Sequence, residues 1–144
     1  MKSQFSKIAK VRKQKRDSIE RDLMKSQNKE KMLRHKITVL NDEIGGLQTP
    51  REGTVSMLSL IAEQKRILNR DKKRLEEELI LVEKNTALLQ SAYQKAHVEY
   101  EKIYYLEEQE LQAIIAKLKK EEQLALDEIS TQLFANQMQK KVSQ

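Results

Sequence analysis

The sequence predicts an all-α protein, a long antiparallel two-helix coiled-coil hairpin with unequal arms, and three observations carry that prediction. All three glycines and the only proline of the 144-residue chain fall in one short window, "EIGGLQTPREG", Glu43 to Gly53. On both sides of the window apolar residues recur at alternating steps of three and four, the spacing of a coiled-coil seam. Charged residues make up 35% of the chain and aromatics only 4%. The bulk for a two-layer globular core is therefore missing, and a narrow core remains.

Helix 1 is expected over about residues 3–47. Its seam slots fall at Phe5, Ala9, Arg12, Arg16, Ile19, Leu23, Ser26, Glu30, Leu33, Ile37, Leu40, Ile44 and Leu47. The last five are aliphatic, so the end of this helix is its best packed part. The turn is expected over about 48–53. Gly45 and Gly46 are suited to a C-terminal cap, Pro50 prevents simple continuation, and Thr54 is suited to cap the next helix.

Helix 2 is expected over about 54–140, with a break within 54–70 as one alternative. Its slots run through Leu58, Ile61, Lys65, Leu68, Lys72, Leu75, Leu79, Val82, Thr86, Leu89, Tyr93, Ala96, Tyr100 and Ile103. Beyond Ile103 a strict heptad requires Glu107 and Glu110, whereas the apolar row resumes at Leu111, Ile115 (with Ile114), Leu118, Leu126, Ile129 and Leu133. That pattern predicts a four-residue stutter. So short a connection forces antiparallel pairing, because each stripe alone would leave its seam in water. The expectation is a single domain over 1–144.

The arms are unequal, roughly 67 Å against roughly 130 Å at 1.5 Å per residue. About forty C-terminal residues then lack an intramolecular partner, and such a stripe marks a partner site or self-association. Two registers are open. In the wider one the basic start slides towards "EYEKIYYLEEQE", Glu99 to Glu110, and Arg12 and Arg16 approach Glu107 and Glu110. The narrower one sets those arginines against Leu89 and its neighbours. The wider register is favoured because it pairs charges that otherwise face aliphatic slots.

Chemistry is sparse. There is no cysteine, which excludes disulfides, thiolate metal sites and a cysteine nucleophile. His35 and His97 have no second ligand at a metal spacing, and the glycine window lacks the Gly-Lys-Ser/Thr ending of a phosphate loop. Carboxylates such as Glu76, Glu77 and Glu78 lie on a polar helix face where nothing desolvates them, so acid–base catalysis has no seat. The chain reads as a non-enzyme without cofactor, metal or small-molecule substrate. No apolar run suits a signal peptide or a membrane span, and the expected location is cytoplasmic.

The net charge of +6 is concentrated at the start, where seven bases from Lys2 to Arg16 precede the first acid, Asp17. A basic start suits nucleic acid, anionic lipid, an acidic protein surface, or plain solvent. The tyrosines Tyr93, Tyr100, Tyr104 and Tyr105 are flanked by Glu99, Glu101, Glu107 and Glu108. That acidity argues against stacking on nucleic acid bases.

Three stretches, "FSKIAKVRKQKRDSIERDL", "GTVSMLSLIAEQKRILNRDKKRLEEEL" and "KLKKEEQLALDEISTQLF", resemble the flagellar export protein FliJ family, the coiled-coil component of the type III export ATPase complex. The resemblance implies a non-catalytic stalk similar to the gamma subunit of rotary ATPases. Its paired termini would enter a hexameric export ATPase, and its middle would face the membrane export gate protein FlhA. Export chaperones are implied as further partners, and a peripheral seat on the inner membrane at the flagellar base as the location. Carried onto this chain, the ATPase contacts become Arg12, Lys13, Lys15 and Arg16 with the tract Leu126, Asp127, Glu128 and Ile129. For the gate, Lys65, Asn69 and Lys72 occupy much of the stretch where the family carries apolar surface, which leaves Leu60 and Ile67. The rival reading is a generic coiled-coil adaptor or chaperone-like protein unrelated to secretion.

Overall fold

The computed structural model describes residues 3–47 and 53–142. Two helices, α1 (Ser6–Gly46) and α2 (Val55–Val142), pack against each other, and there is no strand among the described residues. The all-α hairpin is therefore observed. α2 runs unbroken from its start at Val55 through Arg70. Contacts group the chain into two compact units, Lys13–Val98, and Met1–Arg12 with Glu99–Gln144.

The helix ends follow local chemistry. Thr54 caps α2 as expected: its Oγ1 accepts the Met57 N–H at 3.3 Å, satisfying a donor that has no partner inside the helix. The glycine cap of α1 is corrected. Gly45 and Gly46 stay in the helix, and no glycine among the described residues has a positive φ. The Leu47 N–H instead closes a tighter turn onto the Ile44 carbonyl at 3.2 Å. Pro50 and most of the expected turn, 48–53, lie outside the described residues.

In the unit Lys13–Val98 the seam lies where periodicity puts it. Every α1 slot from Arg16 to Leu47 is buried or half-buried, and so is every α2 slot from Ile61 to Ala96. Leu23, Leu33, Val82 and Ala96 form its buried apolar part. Two polar slots meet in the middle: the Ser26 and Thr86 hydroxyls are 2.6 Å apart. Thr86 donates to its own helix at the Val82 carbonyl, 3.0 Å, so Ser26 donates to Thr86. Asn85 Nδ2 donates to Ser26 at 3.3 Å and completes the chain of bonds. Among the described residues no buried side-chain polar atom lacks a partner, so this layer costs little and penalises any register that separates its members. Across the side where Arg34 and Glu83 follow seam slots, the two residues pair at 3.1 Å.

The first turns of α2 extend past the cover of α1. Residues 53–60 are all exposed, Leu58 among them, and burial begins at Ile61.

In the other unit, Arg12 Nη1 reaches Glu99 at 2.6 Å, Ser6 Oγ donates to Glu107 at 3.2 Å, and Ser3 Oγ donates to Glu110 at 2.6 Å. Ser3 also accepts the Phe5 N–H at 3.1 Å. Two expectations are corrected here. Arg12 meets Glu99 and not Glu107 or Glu110, which bond Ser6 and Ser3 instead. Nor does the buried row slip by four residues. Glu107, Glu110 and Ile114 stay half-buried in heptad sequence; Leu111, first of the slipped row, is half-buried too, but Ile115 and Leu118 after it are exposed. Small serines opposite the two glutamates leave room for carboxylates and supply donors, so a polar slot is accommodated without shifting the helix.

Arg12 and Glu99 are 40% and 47% exposed, and an ion pair so open to water is worth little. Arg12→Ala should lower stability by only about 0.2–1 kcal/mol, less at high salt, as read by urea unfolding.

Candidate functional site

α2 presents bare apolar surface along its last part. Every described residue from Ile115 to Val142 is exposed, including Ile115, Leu118, Leu126, Ile129, Leu133, Phe134 and Met138. Ile115, Leu118, Leu126, Ile129 and Leu133 fall on one helix face, since steps of three, four and eight residues return nearly to the same angle. The tract singled out from the sequence sits inside this row. Leu126 and Ile129 point outward, and Asp127 Oδ1 accepts from Gln123 Nε2 at 3.1 Å. Thr131 bonds back to the Asp127 carbonyl at 2.9 Å, so the tract remains regular helix.

The four basic candidates divide into two kinds. Arg12 is held by Glu99. Arg16 is half-buried, with Nη2 3.1 Å and Nε 3.2 Å from the Asp17 carboxylate and Nη1 3.5 Å from His97 Nδ1. Lys13 and Lys15 are exposed. Arg12 and Arg16 therefore each have a partner within the chain, Arg12 while still 40% exposed, and the two lysines are exposed. Arg12 is not brought to Leu126–Ile129: its partner Glu99 lies roughly 40 Å from Leu126 along α2 at 1.5 Å per residue.

Leu60 is 61% exposed and Ile67 46% exposed. Leu60 lies on the uncovered start of α2. Ile67 lines a hollow with Leu47, Gly46 and Leu68 at the end of α1. Near the tyrosine cluster, the Glu108 carboxylate one turn away raises the pKa of Tyr104 above the ordinary phenol value, so its hydroxyl stays a neutral donor.

Sequence reasoning missed a second apolar column. Leu81 and Leu88 are 67% and 72% exposed, and with Leu60 and Ile67 they fall on one line at multiples of seven residues, interrupted by Arg74. The signal was present in the sequence as an exact seven-residue repeat beside the seam, which the stronger seam pattern hid.

Among the described residues no group of three or more His, Asp or Glu could hold a metal ion, and no helix is long and apolar enough to cross a membrane. Two helices paired through a narrow seam, with long apolar surface left over on α2, define a class: two-helix coiled-coil proteins. Within that class the chain belongs to the FliJ family, whose model, described as "Flagellar FliJ protein", matches residues 1–139. No curated protein and no solved structure gives a match. Members of the family are non-catalytic components of flagellar export, and this chain's role lies in flagellar export.

Proposed function

We propose that the chain is the stalk of the flagellar type III export ATPase, entering the hexameric ring with its termini and linking it to the membrane export gate. The observation that carries the reading is the uncovered apolar row from Ile115 to Leu133. A single helix gains nothing by exposing such a row to water, and ring subunits would bury it. Lys13 and Lys15, exposed on α1, supply the basic contact, and Leu126 to Ile129 the apolar one. Arg12 and Arg16 contribute by holding the hairpin closed.

At the gate, Leu60, on the start of α2 that α1 leaves bare, and Ile67, exposed beside the end of α1, are the contact residues for FlhA. Export chaperones bind as further partners. The protein works in the cytoplasm, held peripherally at the inner membrane through these contacts.

The test is ATPase activity of the cognate export ATPase with and without the full chain, together with light scattering of the mixture. Stimulation of several-fold, with the chain co-eluting with a hexamer, is the expected result. Absence of both, with helicity intact by circular dichroism, would remove the stalk reading and leave a flagellar export component that acts through another partner.

A further inference from the structure

The start of α2 is apolar on every side. From Thr54 to Ala62 there is no charged residue, and residues 53–60 are all exposed. Val55 is 83% exposed, Leu60 61%, Met57 54% and Leu58 37%. At 100° per residue these four side chains leave the helix in four directions, and the widest gap between them, about 140°, holds Ser56 and Ser59. A groove on a partner protein covers one face of a helix and leaves the others in water. Apolar side chains pointing all round a helix are covered together only where the surroundings themselves are apolar.

Positive charge follows directly behind. From Glu63 to Arg74, α2 carries six bases, Lys65, Arg66, Arg70, Lys72, Lys73 and Arg74, against two acids, Glu63 and Asp71. Arg66, Arg70, Lys73 and Arg74 are exposed and fall within about 100° of one another, on the side away from the seam slots Ile61, Lys65, Leu68 and Lys72. Glu63 is already paired with Arg66 at 2.6 Å, and Asp71 is half-buried. Asp42 and Glu43 at the end of α1 lessen the positive excess without cancelling it. The next acids on α2, Glu76 to Glu78, lie beyond the bases, roughly 32 Å or more from Val55 along the helix at 1.5 Å per residue.

An uncharged apolar end backed by bases matches an anionic bilayer, which is negative at its surface and apolar beneath. The stretch from Thr54 to Ala62 is roughly 14 Å long, less than half of the ~30 Å hydrocarbon core, so it fits the interface of one leaflet and does not cross. We propose that the start of α2 binds an anionic lipid bilayer, with Val55, Met57, Leu58 and Leu60 among the upper acyl chains and Arg66, Arg70, Lys73 and Arg74 on the headgroup phosphates. Side chains on a helix lean towards its N-terminus, so these long bases reach back from behind the apolar turns towards the lipid surface. The binding rests on neither the ATPase contact nor the FlhA contact proposed above.

The experiment is co-sedimentation of the full chain with vesicles of equal parts phosphatidylglycerol and phosphatidylcholine, and with vesicles of phosphatidylcholine alone. Binding to the anionic vesicles should be at least about tenfold the tighter and should weaken as salt is raised. Val55→Gln with Met57→Gln, and separately Arg70→Gln with Lys73→Gln and Arg74→Gln, should each weaken it at least about tenfold. All five side chains are exposed, and circular dichroism checks that helicity is kept. The chain has no tryptophan, so a single one reports its own position. Emission of Met57→Trp should move to shorter wavelength on the anionic vesicles, whereas Leu88→Trp, at an exposed site roughly 47 Å along α2, should stay unmoved. No co-sedimentation, equal binding to both vesicles, or no shift at position 57 would each overturn the proposal. So would binding that a folded variant of either set leaves intact, which would belong instead to the basic start from Lys2 to Arg16. The vesicles hold no ATPase and no FlhA, so failure here leaves the stalk reading standing, and loss of ATPase stimulation leaves these readouts untouched.

Discussion

Replacing Leu118, Leu126, Ile129 and Leu133 together with glutamine should reduce stimulation of the export ATPase at least about tenfold while leaving the hairpin intact. All four side chains are exposed in the free chain, so their removal takes nothing from its core. Glutamine forms helix nearly as well as leucine and keeps α2 regular. In the ring each buried leucine or isoleucine would contribute roughly 1.5–3 kcal/mol, and about 1.4 kcal/mol is already a tenfold change in binding. The melting temperature should stay within a few degrees, as for exposed positions generally. Unchanged stimulation at subsaturating chain would remove the row from the ATPase contact and the stalk reading with it.

The largest effect on stability is expected at Leu33. It is 4% exposed, as buried as any described side chain, and it packs in a seam only two helices wide. Leu33→Ala removes its transfer free energy and leaves a cavity that neighbouring slots on two rigid helices fill only in part, at a cost of about 2–5 kcal/mol. Total stabilities of about 5–15 kcal/mol make that a large share, and a narrow core has no second layer to offset it. Leu81→Ala, at an equally aliphatic but exposed site, should cost under about 0.5 kcal/mol. Urea unfolding followed by circular dichroism compares the two. Equal losses would mean that the seam is not where the hairpin's stability resides.

Much of the candidate surface was legible in the sequence. The row from Ile115 to Leu133 needed only helical spacing and the inequality of the two arms, and Leu60 and Ile67 needed only their place off the seam. Arg12 and Arg16, candidate binding residues in the sequence, each have a partner within the chain. A basic slot reads the same whether its charge meets a partner protein or, as here, Glu99 on the neighbouring helix and Asp17 beside it. Leu81 and Leu88 escaped because two interleaved heptad patterns on one helix compete, and the seam is the fuller of the two.

Periodicity and the position of the breakers by themselves determined the two helices, the buried face of each from Phe5 to Leu47 and from Ile61 to Ile103, and the Thr54 cap. Tertiary structure decided which layers meet: Ser26 with Thr86, Arg12 with Glu99, and Ser3 and Ser6 with the glutamates that looked like a stutter. A seven-residue pattern names the face that must leave water, but it reads the same after one helix slides past the other by a heptad. Only matching hydroxyls, carboxylates and side-chain volumes across the seam distinguish one register from the next.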